Sequence, residues 1–128
     1  MNKTVKTLLQ NQMWYLGTYA AEPNAVPVIF KDVTEDGKLV VGDVFLETTL
    51  NNVRANGQIA VSACDPVTLE GYQIKGHAEY VTEGPVVDAF KAKVEATFKG
   101  AMTAKGALII TPERVIVTTP GADNKKVL

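Results

Sequence analysis

Apolar residues recur along this chain in two periods. From Thr4 onward, Val5, Leu8, Leu9 and Met13 keep helical spacing, which predicts a first helix over Thr4 to Gln12 lying on the rest of the fold. After it the period shortens. WYLGTYA (14–20) is aromatic and rich in strand formers, Glu22-Pro23-Asn24 carries turn residues, and VPVIFKDV (26–33) reads as the returning strand. Pro27 is tolerable there only at an edge or a bulge. Glu35-Asp36-Gly37 then turns the chain into a third strand from Lys38.

The central stretch, Val40 to Val61, organises the remainder. Val40-Val41 and Val44-Phe45-Leu46 read as strand, Leu50 and Val53 as a short turn of helix, and the Ile59-Ala60-Val61 run as a return to the sheet. That returning strand runs from Gln58 to Cys64, and the turn-rich segment from Asp65 to Gly71 ends it. Tyr72 to Val81 alternates imperfectly, with Gly76 marking a bulge or a close approach. Pro85 suits the first turn of another helix, whose stripe is Val86, Val87, Phe90, Val94 and Phe98 and whose end is Gly100. GALIIT (106–111) and RVIVT (114–118) read as two further strands joined by a tight Pro112-Glu113 link. Short strands with short links exclude a doubly wound parallel sheet. The expected fold is mainly β with flanking helices, a small antiparallel, Greek-key-like barrel whose openings the helices cover.

Composition narrows the function classes. A chain of 128 residues suits one domain over 1–128, and 13 Lys and Arg against 14 Asp and Glu leave no basic field for a nucleic-acid backbone. No leader-like segment or membrane-length apolar run is visible, so a soluble cytoplasmic protein is expected. Cys64 is the only cysteine and His77 the only histidine, which leaves neither a disulfide nor a Cys- or His-rich metal cage. Cys64 is expected to be buried and inert, Asp43 and Glu47 to lie in a solvated loop, and Trp14 and Tyr15 to belong to the core rather than to a ring-stacking site. The scattered glycines form no dinucleotide-binding fingerprint.

The one local constellation with chemistry is Thr48-Thr49, two hydroxyls just before a short helix. They can cap its free amides, or those hydroxyls and amides can hold a phosphate.

The ordered set of strings, from WYLGTYA through VPVIFKD, FLETTLNNVRANGQIAVSA, GYQIKGHAEY and GPVVDAF to ITPERVIVTTPG, resembles the pyridoxamine 5′-phosphate oxidase-like flavoproteins and spans nearly the whole chain. The resemblance implies the FMN-binding split-barrel fold and a homodimer with FMN at the subunit interface. It implies that the flavin ring lies against Val28, Ile29, Phe30 and Lys31, and that the phosphate falls at Thr48 and Thr49, where longer members carry Arg or Lys. Gln73 matches a position that approaches the flavin from the partner subunit, and Lys125 to Leu128 is placed to reach across the dimer. With no basic residue at Thr48-Thr49, the nearest cations by position are Lys31, Arg54 and Lys75. The segment with which the true oxidases contact pyridoxal phosphate has no counterpart before Leu128, so vitamin B6 oxidation is not expected. The resemblance points instead to a small oxidoreductase or electron-transfer protein. Related branches bind the deazaflavin F420 or haem, and the alternatives are a binding module without turnover and a cofactor-free dimer.

Overall fold

A computed structural model describes residues 1–128. Helix α1 (Lys3–Asn11) starts where the Asn2 side chain accepts a hydrogen bond from the Val5 amide at 3.0 Å, and it buries Val5, Leu8 and Leu9. Strands β1 (Trp14–Tyr19), β2 (Pro23–Val28), β3 (Lys31–Val33) and β4 (Leu39–Asp43) follow, then helix α2 (Thr48–Asn56). Strands β5 (Gln58–Cys64) and β6 (Gly71–Val81), helix α3 (Pro85–Thr97) and strand β7 (Gly106–Val117) complete the order. No helix is long and apolar enough to cross a membrane.

All strand pairs are antiparallel, in the order β2-β1-β5-β6-β7-β4-β3. The two edge strands, β2 and β3, are consecutive in the chain and joined only by Ile29 and Phe30. The sheet therefore has to curl until its edges meet, and the Phe30 carbonyl accepts from the Gly42 amide at 2.9 Å at that seam. This is a split barrel. It also explains why the expected continuous strand over 26–33 is broken at Ile29-Phe30, and why Pro27, on edge strand β2, costs the ladder nothing.

Inside the barrel lies a core of 21 buried residues, with Trp14, Leu16, Leu39, Val61, Ile74 and Leu108 among its fully enclosed side chains. A second cluster of 7 lies beneath α3, where Val87, Phe90 and Val94 meet Phe30, Val40, Ala104 and Ala107. Gly42 is required there, because a Cβ at that position would come within 2.8 Å of the Phe90 ring.

Two sequence expectations change here. The Val44-Phe45-Leu46 strand does not form: β4 stops at Asp43, whose carboxylate accepts from the Leu46 amide at 3.0 Å and folds the segment into a turn, leaving Phe45 74% exposed. The tight Pro112-Glu113 link is absent too, because β7 runs unbroken through it. Lys75 pairs with Arg114 and Gly76 with Pro112, so Glu113 is the extra residue of a β-bulge. Gly76 marks it as its sequence suggested, since a Cβ would strike the Thr111 carbonyl. Beyond the bulge the free side of β7 is taken by the tail, with Val117 donating to the Lys126 carbonyl at 2.9 Å and Leu128 to that of Val115 at 2.8 Å.

Candidate functional site

The register of the sheet sets out one row of residues across its outer surface. Gly17 faces Ala25 on one side and Ala60 on the other, Ala60 faces Lys75, and Lys75 faces Arg114. Successive side chains of a strand point to opposite faces, so Tyr15 and Tyr19 share the outer face with Gly17, and they are 53% and 63% exposed. A row of minimal side chains flanked by rows of bulkier ones is a trough. The resulting cleft has a volume of roughly 1020 Å³, within the range of small-molecule sites, and Tyr19, Pro23 and Gln58 contribute to its wall. Lys75, Arg114 and the bulged Glu113 line its far end.

The other face of the same strands is closed. Buried Asn52 donates from α2 to the Thr18 hydroxyl and to the Glu22 carbonyl, both at 3.1 Å. Asn24 donates to the Thr49 hydroxyl at 2.9 Å, and Asn56 to the Tyr19 carbonyl at 2.8 Å. These bonds fasten α2 over one end of the barrel. Asp43, expected in a solvated loop, is fully buried: besides the Leu46 amide it accepts from the Tyr80 hydroxyl at 2.7 Å. Burial and this bond to Asp43 push the Tyr80 phenol up to about 12, against the opposing charge of Arg54 stacked 5.3 Å from its ring centre.

The structure places the sequence-derived candidates in four separate environments. Val28 and Phe30 are buried, while Ile29, between them at the seam, is 59% exposed. Lys31 Nζ donates to the carbonyls of Leu9 and Gln10 at 3.0 and 3.3 Å and lies 5.4 Å from the Trp14 ring centre, which satisfies the C-terminal carbonyls of α1. Burial and the charge of Lys93 lower its pKa, with Asp32 opposing. Thr48 and Thr49 are the first residues of α2 rather than its cap. The cap is exposed Glu47, whose side chain makes no capping bond, and Thr49 is only 1% exposed with its hydroxyl held by Asn24. Gln73 lies half-buried on β6, opposite Ser62, one outward row from the trough.

Two isolated expectations also change. Cys64 is exposed because it ends β5 on the outward-facing set, and Tyr15 faces solvent while its neighbour Trp14 is fully buried, as strand alternation requires. His77 is exposed, with its ring against the left-handed Gly57 that ends α2. No group of 3 or more His, Cys, Asp and Glu is gathered where it could hold a metal ion.

Residues 1–121 match the family described as pyridoxamine 5′-phosphate oxidase. The chain belongs to that family. An uncharacterised protein from Methanocaldococcus jannaschii is 27% identical to this chain over 124 residues, 94% of this chain and 82% of that one. The crystal structure of HupZ from Group A Streptococcus superposes with a TM-score of 0.81 at 28% identity, covering 96% of this chain and 98% of that chain. An FMN-binding protein of Syntrophomonas wolfei shares the fold with a TM-score of 0.78 at 13% identity, over 92% and 86% of the two chains.

The family implies FMN, and the start of α2 does not fit its phosphate. A carboxylate stands at the N-cap position, Thr49 is 1% exposed and accepts from Asn24, Lys31 is committed to α1, and Arg54 sits in the last turn of the helix. The trough fits a flat ring better, for bare backbone at Gly17 and the methyl of Ala60 leave room for close approach. Sequence reading overlooked Gly17, Ala60 and Arg114, whose only signal was small or charged residues at outward strand positions.

Proposed function

We propose that this protein is an FMN-binding flavoprotein that works as a homodimer, as a small oxidoreductase or electron carrier. The observation that carries the reading is the outer trough, an open, flat-floored cleft on a barrel of this family. A bound flavin would supply hydride or electron transfer at its ring. This chain's part is to hold and orient: Gly17 and Ala60 form the floor, and Tyr19 stands at the wall. The face around the trough exposes Tyr15 and Tyr19, and a second copy laid over it would bury both and exclude water from the ring. In this reading Gln73, one outward row from the trough, is the residue that the partner subunit would present to the flavin. Among the other contacts the family resemblance implies, exposed Ile29 at the seam remains available to a ligand. A cytoplasmic location belongs to the same reading, since a reducing compartment keeps the exposed thiol of Cys64 free.

A second reading, a module that binds FMN, F420 or haem without turnover, is favoured by the absence of a basic clamp at α2. One sample separates the two. Protein purified without added cofactor is expected to show flavin absorption bands and a mass near twice 13.8 kDa, and NAD(P)H is expected to bleach the bands anaerobically. Stable bands under NAD(P)H would favour the passive module, a Soret band would identify haem, and a colourless protein that gains no bands with FMN would end the flavin reading.

A further inference from the structure

We infer that the trough holds the anionic end of its ligand at Lys75 and Arg114, where β6 and β7 meet at the bulge, and not at the start of α2. For the identity of the ligand as a phosphorylated flavin this rests on the function proposed above. The anion site itself rests on the sheet. Lys75 and Arg114 are direct cross-strand partners. Like charges placed opposite each other destabilise a sheet, so the pair is a cost to the fold that an anion would relieve.

The bulge creates the arrangement. An extra residue on β7 lets both Glu113 and Arg114 line the cleft, while Lys75 reaches it from β6. Glu113 is the only carboxylate among the residues lining the cleft, against 2 cations. The other cations near the family's phosphate position are occupied, Lys31 by α1 carbonyls and Arg54 by the Tyr80 ring. The row leading to the pair is Ala25, Gly17 and Ala60, so a flat group on that floor would have its charged substituent directed at the bulge. An ammonium and a guanidinium together can give a phosphate several charge-assisted hydrogen bonds.

The test compares FMN with riboflavin, which lacks the phosphate, on the full chain by fluorescence titration. Lys75→Gln and Arg114→Gln are each expected to weaken FMN by roughly tenfold or more, the scale of a hydrogen bond to a charged group, and to leave riboflavin unchanged. Glu113→Gln is expected to tighten FMN severalfold and again to leave riboflavin unchanged. Because the substitutions remove cross-strand repulsion, the melting temperatures of Lys75→Gln and Arg114→Gln should be equal to or above that of the parent. Equal losses for both flavins, or FMN affinity unmoved by either substitution, would overturn the proposal. Inorganic pyrophosphate provides a probe that needs no flavin: backbone amide shifts at Lys75, Gly76, Glu113 and Arg114 support the site even if no flavin binds and the function proposed above falls. Shifts centred on Thr48 and Thr49, or none anywhere, refute it.

Discussion

Strands β1 and β2 present two faces that use similar atoms to opposite ends. On the inner face, Thr18 and Asn24 meet Asn52 and Thr49 from α2, and the hydrogen-bonding groups there are paired. On the outer face the same strands show Gly17 and Ala25, with nothing above them but the cleft. Buried polar groups stabilise only when satisfied, so the inner set is committed to holding a helix. The outer set is committed to nothing within the chain. The threonine at this helix start therefore serves the fold, whereas the glycine and alanine of the strands leave an open cleft.

Adding bulk to the open face gives the largest expected effect. A Cβ at Gly17 meets nothing nearer than the Ala60 carbonyl at 3.8 Å, and a β-branched residue suits a strand. Gly17→Val should thus keep or slightly raise the melting temperature while weakening flavin binding roughly a hundredfold, the upper end of overpacking costs. Undiminished binding in a flavin titration would move the ring out of the trough. On the closed face the effects should reverse. Asn52→Ala orphans the Thr18 hydroxyl and the Glu22 carbonyl, and is expected to cost about 2 kcal/mol in urea unfolding while flavin affinity, measured well below the melting temperature, is retained.

The smallest effect is a pH dependence. Tyr80, beside the closed end, has its phenol raised to about 12 in the fold, against roughly 10 unfolded. A raised folded value means that its contribution to stability is complete below pH ~10 and disappears as pH rises through the folded value. The stability gap between the parent and Tyr80→Phe should accordingly narrow from pH ~10 to pH ~12. A gap constant over that window would mean that Tyr80 ionises normally.

The periodic segments were legible in the sequence for physical reasons. Helices α1 and α3 declared themselves through their apolar stripes, Pro85 marked a start, and Gly76 marked the bulge. The errors share a cause. Whether VPVIFKDV is one strand or two, and whether Pro112-Glu113 breaks β7, depends on which strands lie alongside, and a one-dimensional pattern contains no register. The buried carboxylate Asp43 was invisible for the same reason, since its partner Tyr80 is 37 residues away. The site suffered most. Gly17, Ala60, Lys75 and Arg114 come from four strands and form a row only after pairing. Thr48-Thr49, adjacent in sequence and therefore conspicuous, begin a helix whose N-cap position is Glu47, with no side-chain capping bond.

The seam at Ile29 and Phe30 has a consequence for how the polypeptide is made. Strand β4 has β3 as its local neighbour, but its other neighbour is β7, where Leu39 pairs with Ile110 about 70 residues downstream, the kind of distant pairing that slows folding. During synthesis, residues up to α3 can emerge while the edges of β4 and β6 that await β7 still lack their partner. Those edges are templates for pairing with another nascent chain. The strand that comes last among these seven in chain order is thus the one that closes the barrel. Truncations or stalled chains ending before Gly106 are expected to aggregate, while release of β7 completes the sheet in one step.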